Sequence, residues 1–135
     1  MKHLSLLYII AACCYLGLDM VWLNIFAKHF YASKLGGMLL ENPILWAAAL
    51  VYLLYPVGLV AFVVSPSLAS GADLGAVMIK GVFFGVLVYA TYDLTNLATL
   101  KGWSMALAAV DVLWGGFVSG GASMATFLIF KRFFA

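Results

Sequence analysis

The stretch YDLTNLATLKGW, residues 92–103, ends one long apolar run and leads directly into another. Lys101 and Gly102 leave room for only a tight turn between the two runs, and each run is long enough to span a membrane. The two runs must therefore form an antiparallel helical hairpin. The same stretch places Asp93 and Asn96 among Val, Leu and Tyr residues, where a carboxylate is energetically costly.

The composition indicates that the whole chain, and not only this hairpin, lies in a membrane. Hydrophobic residues make up 67% of the 135 residues and charged residues only 9%, too few for the polar surface of a soluble domain. Four apolar stretches reach the roughly 20 residues that a spanning helix needs, namely residues 4–26, 43–64, 74–100 and 104–130. We predict an all-α integral membrane protein, a single domain of residues 1–135 with four transmembrane helices in an antiparallel bundle.

The first connection differs from the others in composition. Residues 27–43, AKHFYASKLGGMLLENP, alternate aromatic and basic residues before Asn42 and Pro43, as is typical of a segment in the headgroup plane. We predict an interfacial segment between helices one and two that covers one end of the bundle. Lys and Arg residues number three on each side of the membrane. We expect cytoplasmic termini because Lys131 and Arg132 directly follow the last span.

Three of the five acidic residues lie at the same depth. Asp19 and Asp93 each precede the end of a span by seven residues, and Asp111 follows the start of the fourth span by seven. At 1.5 Å per residue, each lies about 10 Å inside the hydrocarbon edge. The alternating span directions bring all three to the same side, towards residues 27–42, where we expect them to share one pocket.

Aromatic and amide side chains recur at helical spacing around these acids. Candidate binding residues are Asp19, Trp22, Tyr52, Tyr89, Asp93, Asn96, Asp111 and Trp114. Intramembrane carboxylates are by default functional candidates. If the three acids converge, at least one should hold a proton near neutral pH unless a cation is bound. Alternatively, these polar groups simply hydrogen-bond the helices together.

Other conspicuous residues have structural interpretations. Trp46 and Trp103 lie near span ends and are predicted to be interfacial anchors. Lys80 is about 20 Å along the helix axis from the third-span aspartate and is expected to snorkel towards water. Gly116 and Gly120 form a GxxxG motif, which serves either packing within the bundle or self-association.

Several segments together resemble one family. GLDMVWLNIF at 17–26, FYASKLG at 30–36, ENP at 41–43, YATYDLTNLATLKGW at 89–103 and DVLWGG at 111–116 resemble the bacterial four-helix membrane proteins catalogued as domain of unknown function 2177. The resemblance covers nearly the whole chain. It implies a small bacterial polytopic protein and carries over no catalytic or binding residue. We expect the bacterial inner membrane as its location.

The sequence lacks the motifs of several specific functions. His3 and His29 lie at opposite membrane edges, which argues against a bis-histidine haem or a histidine-rich metal centre. Walker, dinucleotide-binding and nucleophile-elbow motifs are absent from the sequence, and the basic residues are too scattered for nucleic acid. We therefore expect no cofactor, no metal and no nucleic acid, with membrane lipid and a proton or cation as partners.

Three functions fit these features. The first is proton- or cation-coupled binding or transport of a small amphiphilic or cationic substrate, for which four short spans would need a homo-oligomer. The second is an accessory or structural subunit of a membrane complex. The third is a membrane-embedded enzyme that modifies a lipid or isoprenoid, with aspartates as acid and base.

Overall fold

The computed structural model describes residues 2–135, and every regular element among them is helical. Six α-helices are joined by two π-helical turns and one 3₁₀ turn. In chain order these are α1 Lys2–Trp22, a π turn Leu23–Ala27, α2 Lys28–Leu35, a 3₁₀ turn Gly36–Met38, α3 Leu45–Leu59, a π turn Val60–Val64, α4 Ser65–Ala69, α5 Leu74–Thr99 and α6 Met105–Phe133.

Four helical segments are long and apolar enough to cross a membrane. They are Lys2–Met38, Leu45–Ala69, Leu74–Thr99 and Met105–Phe133. The predicted fold class is confirmed. The first segment is longer than predicted, because the helix does not stop near residue 26 but continues through a π turn into α2. Residues 28–34 contain no helix breaker, and the helix ends only at Gly36, which has a φ of 50° that favours glycine.

The hairpin of α5 and α6 is the most extensive helix pair. Gly102, with a φ of 83°, makes the turn, and the Ser104 hydroxyl caps α6 by accepting the Leu107 N–H at 3.0 Å. The two helices approach closely through glycines. A Cβ on Gly85 would lie 2.0 Å from the Gly115 carbonyl oxygen, so any side chain at residue 85 would force the helices apart.

The GxxxG motif of α6 packs inside the bundle. A Cβ on Gly116 would lie 2.9 Å from the Val86 side chain, and one on Gly120 would lie 2.7 Å from that of Val82. Both valines belong to α5, so of the two interpretations of this motif the structure supports internal packing.

The second span packs unevenly on the rest of the bundle. Its α3 portion packs closely on α1, whereas close packing of this span on α5 and α6 is prominent only in the π turn Val60–Val64. Pro56 lies one turn before that π turn and has no N–H to donate to the Tyr52 carbonyl, which loosens the helix there. The bundle is therefore closed at one end and splayed at the other.

The two ends of the bundle have different interiors. At the end that holds the termini and residues 65–73, which we call the terminal end, the core is apolar. It consists of Leu7, Ala11, Val60, Val63, Val64, Val77, Phe127 and Phe130. At the other end, formed by residues 23–44 and 100–104 and called the loop end here, aromatic rings and carboxylates fill the interior. The candidate site lies at this loop end.

Candidate functional site

Asp19 is held by side chains from two other spans. It is buried in α1, where Oδ2 accepts the Tyr52 hydroxyl of α3 at 2.5 Å and Oδ1 accepts the Trp114 Nε1–H of α6 at 2.9 Å. Both carboxylate oxygens therefore have a donor. These two hydrogen bonds link α1 to α3 and α6 and so hold three spans together.

Asp111 receives a hydrogen bond from the segment that follows the first span. The Tyr31 hydroxyl of α2 donates to Asp111 Oδ1. Leu35 and Leu39 line the same cavity as Asp111, and a Cβ on Gly102 would lie 3.7 Å from Met38 Sδ. Residues 31–39 therefore cover the loop end, and the hydrogen bond from Tyr31 to Asp111 holds them there.

Asp93 is fully buried, at 0% exposure, and neither of its oxygens has a hydrogen-bond donor. The Asp111 carboxyl and the Trp103 indole are its polar neighbours, but the Trp103 N–H falls outside hydrogen-bond geometry and is itself unpartnered. Two ionised carboxylates both only accept hydrogen bonds and cannot satisfy each other. A proton on either acid would convert it into a donor to the other, and a bound cation would serve both.

A four-ring aromatic stack forms one wall of the site. Trp22 and Trp114 stack with ring centroids 4.5 Å apart and planes 5° apart. Phe26 stacks on Trp22, and Phe117 stacks on Trp114, each at 5.4 Å. Because Trp114 also donates to Asp19, the stack fixes the orientation of that indole. Each indole packs against two other rings of the stack, and Trp22 and Trp114 both line the cavity that contains Asp19 and Asp111.

Tyrosines form the opposite wall and the floor. The Tyr15 and Tyr89 hydroxyls share a hydrogen bond of 2.9 Å, and the Tyr55 hydroxyl is 2.6 Å from Ser119 Oγ. Tyr15 and Tyr55 also stack, with centroids 4.5 Å apart. This layer separates the polar loop end from the apolar core of the terminal end.

Two adjoining cavities open among these side chains. The first, the acid cavity, has a volume of about 290 Å³, and its polar and aromatic lining consists of Tyr15, Asp19, Trp22, Tyr31, Tyr89, Tyr92, Trp103, Asp111 and Trp114. The second, the fissure cavity, has a volume of about 410 Å³ and is lined by Tyr15, Val51, Tyr55, Val88, Tyr89, Tyr92 and Asp111. No Lys, Arg or His of the described chain lines either cavity, so no basic side chain there balances the acids.

The structure brings together most of the residues singled out in the sequence. The acid cavity is lined by Asp19, Trp22, Tyr89, Asp111 and Trp114. Tyr52 joins this group through its bond to Asp19, and Asp93, which itself lines neither cavity, lies beside Asp111. Asn96 is not brought to the site: it is half-buried one turn beyond Asp93 and lines neither cavity.

Sequence reasoning missed two site residues. Trp103 was expected to be an interfacial anchor, but its indole N–H is buried and its ring lines the acid cavity, edge-on to Tyr92 at 5.9 Å. Tyr31 was treated only as part of the covering segment. The aromatic–basic alternation around Tyr31 was a signal for the segment but not for a direct bond to Asp111. Trp46, in contrast, is 70% exposed.

The remaining charged and metal-ligating side chains lie apart from the cavities. Lys80 is exposed on α5, and the Asp73 carboxylate caps the same helix by accepting the Ala76 N–H at 2.8 Å. Within residues 2–135, no group of three or more His, Cys, Asp or Glu side chains is arranged to hold a metal ion.

The fold and the site define a class of protein: a four-span helical membrane protein whose loop end encloses an acidic, aromatic-walled cavity. The family described as "Predicted membrane protein (DUF2177)" matches residues 4–128. The chain belongs to this family. Comparison with curated proteins finds no match, and comparison with solved structures finds none either.

Proposed function

We propose that the loop-end cavity binds a small cationic or amphiphilic substrate in exchange for a proton, as part of its transport or sequestration. The observation that carries this proposal is the state of Asp93, which is fully buried and has no donor for either oxygen. An unpaired carboxylate in such a position costs several kcal/mol, roughly, unless it is neutralised. A proton or a cationic group is the missing partner.

The three acids have separable roles in this proposal. Asp19 already has two donors, so it supplies a fixed negative field and holds the spans in place. Asp93 and Asp111 form the exchanging pair: they share one proton when the cavity is empty, and they release it when a cation takes its place. Because Tyr31 donates to Asp111, it holds that carboxyl group in place beside Asp93.

The aromatic walls support a cationic ligand. Within the four-ring stack each indole packs against two other rings, so the rings that can meet a cation are those of Tyr89 and Tyr92, which line both cavities. Tyrosine faces attract cations by about 0.5–2 kcal/mol each. No basic side chain among the lining residues competes for the carboxylates. Anionic substrates are disfavoured by the same charges.

Three further proposals concern the assembly, location and orientation of the protein. A cavity of about 290 Å³ holds one small headgroup, so a complete path across the membrane would require a homo-oligomer. We further propose the bacterial inner membrane as the location. Both termini would be cytoplasmic, because Lys131 and Arg132 end α6 directly at its membrane edge.

The test is proton release on ligand binding. The purified protein in nanodiscs, in weak buffer with a pH-sensitive dye, is titrated with quaternary ammonium ions of increasing size. We expect release of about one proton per bound cation, and we expect Asp93→Asn to abolish it. Asp73→Asn is the matched control, because the same chemical change on the same helix, at an N-cap where Asn serves equally well, should leave release intact.

Stability measurements separate this function from a structural role. Asn keeps the volume and hydrogen-bonding capacity of Asp while removing the titratable charge, so Asp93→Asn should unfold at nearly the wild-type temperature and Asp93→Leu should not. Equal loss of thermal stability in both variants, without proton release in the wild type, would favour an accessory or structural subunit. A changed lipid profile on gene deletion, without cation binding, would favour an enzyme.

A further inference from the structure

The splayed second span leaves an opening in the side of the bundle. α3 does not pack closely on α5 at the loop end, and the fissure cavity lies between them, with Val51 on α3 and Val88 on α5 among its lining residues. Tyr55 closes the bottom of this opening, where its ring meets Phe84 and Tyr89 at 5.8 and 5.9 Å. Above Tyr55 the two helices diverge.

The walls of this opening face the hydrocarbon of the membrane. Val51 is 53% exposed, Leu54 65% and Val88 39%. A shallower apolar groove on the outer side of the fissure is lined by these three residues together with Tyr55, Gly58 and Phe84. An acyl-chain-sized apolar surface therefore leads from the lipid into the fissure cavity.

The fissure cavity is continuous with the acid cavity. Tyr15, Val51, Tyr89, Tyr92 and Asp111 line both. The Asp111 carboxyl therefore faces a space that is apolar on its membrane side and acidic on its inner side. At the loop end, by contrast, residues 31–39 cover the acid cavity, with Tyr31 bonded to Asp111. The side opening is an approach to Asp111 that residues 31–39 do not cover.

We propose that the ligand is a single-chain amphiphile with a cationic head, which enters sideways from the membrane between α3 and α5. Its apolar chain lies in the fissure against Val51 and Val88, and its head reaches Asp111, which lies beside the buried Asp93. Charge complementarity selects the head, because both cavities contain acid and no base. The cationic head rests on the proposed function above, whereas the position of the chain rests on the fissure alone.

The test uses two probes that share a head and differ in the chain. Binding of radiolabelled dodecyltrimethylammonium and tetramethylammonium is measured by scintillation proximity on immobilised nanodiscs, with protein-free nanodiscs as background. Val51→Trp fills the fissure. Val57→Trp is its matched control, since Val57 lies on the same helix, is 50% exposed and lines no cavity described here.

We expect Val51→Trp to weaken dodecyltrimethylammonium binding by at least about tenfold more than tetramethylammonium binding, because only the first probe has a chain in the fissure, and we expect Val57→Trp to affect neither. Unchanged dodecyl binding in Val51→Trp, or an equal loss for both probes, would overturn the proposal. The Asp93→Asn variant distinguishes a failure of this proposal from a failure of the proposed cation exchange. Dodecyl binding that still depends on Val51 but survives Asp93→Asn would place a chain in the fissure and refute the cationic exchange.

Discussion

Replacement of Gly115 by Ala tests how tightly the α5–α6 hairpin holds the site. A Cβ on Gly115 would lie 2.2 Å from Cγ, 2.4 Å from Cδ1 and 2.7 Å from Cβ of Tyr89. Carbon atoms pack at about 3.5–4.0 Å, so Tyr89 would have to retreat by more than about 1 Å. Its Cβ and Cγ are close to the α5 backbone, and side-chain rotation alone therefore cannot clear the contact.

The expected cost has two parts. Overpacking of this kind costs about 1–3 kcal/mol, and displacement of Tyr89 would also break its 2.9 Å bond to Tyr15, worth about 1 kcal/mol. We expect Gly115→Ala to lower the free energy of unfolding by about 2–4 kcal/mol. The assay is reversible unfolding by SDS in mixed micelles, followed by far-ultraviolet circular dichroism.

The control is Gly17→Ala, because a Cβ on Gly17 would meet no other atom within 4 Å. A double-mutant cycle tests whether the loss of stability comes from the contact with Tyr89. In a Tyr89→Ala background the two closest contacts, to Cγ and Cδ1, no longer exist, so Gly115→Ala should cost clearly less than in the wild type. If Gly115→Ala and Gly17→Ala were equally stable, the proposed close packing of α5 on α6 at Tyr89 would be refuted.

Four further substitutions, at three residues, probe single contacts. Tyr52→Phe removes one of the two donors to Asp19 and should cost about 1.5–3 kcal/mol in the same unfolding assay; a loss below about 0.5 kcal/mol would mean that the bond contributes little. Trp114→Phe keeps a ring in the stack but removes the other donor to Asp19, so its cost should be similar and should not add fully to that of Tyr52→Phe. Asp73→Ala removes the α5 cap and should cost about 0.5–2 kcal/mol, whereas Asp73→Asn should be neutral; equal stability of the two Asp73 variants would contradict the capping role.

The fold follows from the sequence because apolar run length and short connections leave few alternatives in a membrane. The turn at Lys101 and Gly102 fixes the hairpin, and α5 and α6 form as expected. The extension of the first span through a π turn into α2 could not be predicted, because residues 27–35 have the composition of an interfacial segment whether or not they continue a helix. The bond from Tyr31 to Asp111, together with Leu35 and Leu39 in the lining of the acid cavity, shows where that segment lies.

The depth of the three aspartates in the membrane could be predicted from the sequence, but their hydrogen-bond partners could not. Equal distances from span ends placed Asp19, Asp93 and Asp111 at one level, and helix geometry brings them to one end of the bundle. Which acid receives donors depends on side-chain directions that sequence spacing does not give. Asn96 shares the helical face of Asp93 by spacing, yet one further turn carries it beyond the cavities. The prediction for Trp103 was wrong because a tryptophan at the end of a span is usually an interfacial anchor.

The central claim is that Asp93 and Asp111 share a proton that a cation can replace. Infrared difference spectroscopy of the protein in nanodiscs measures this directly through the carbonyl stretch of a protonated carboxyl group. We predict a band at neutral pH that is lost on addition of a quaternary ammonium ion and absent from Asp93→Asn, but retained in Asp73→Asn. A wild-type spectrum without a protonated carboxyl band, or a band that neither the cation nor Asp93→Asn removes, would contradict the account.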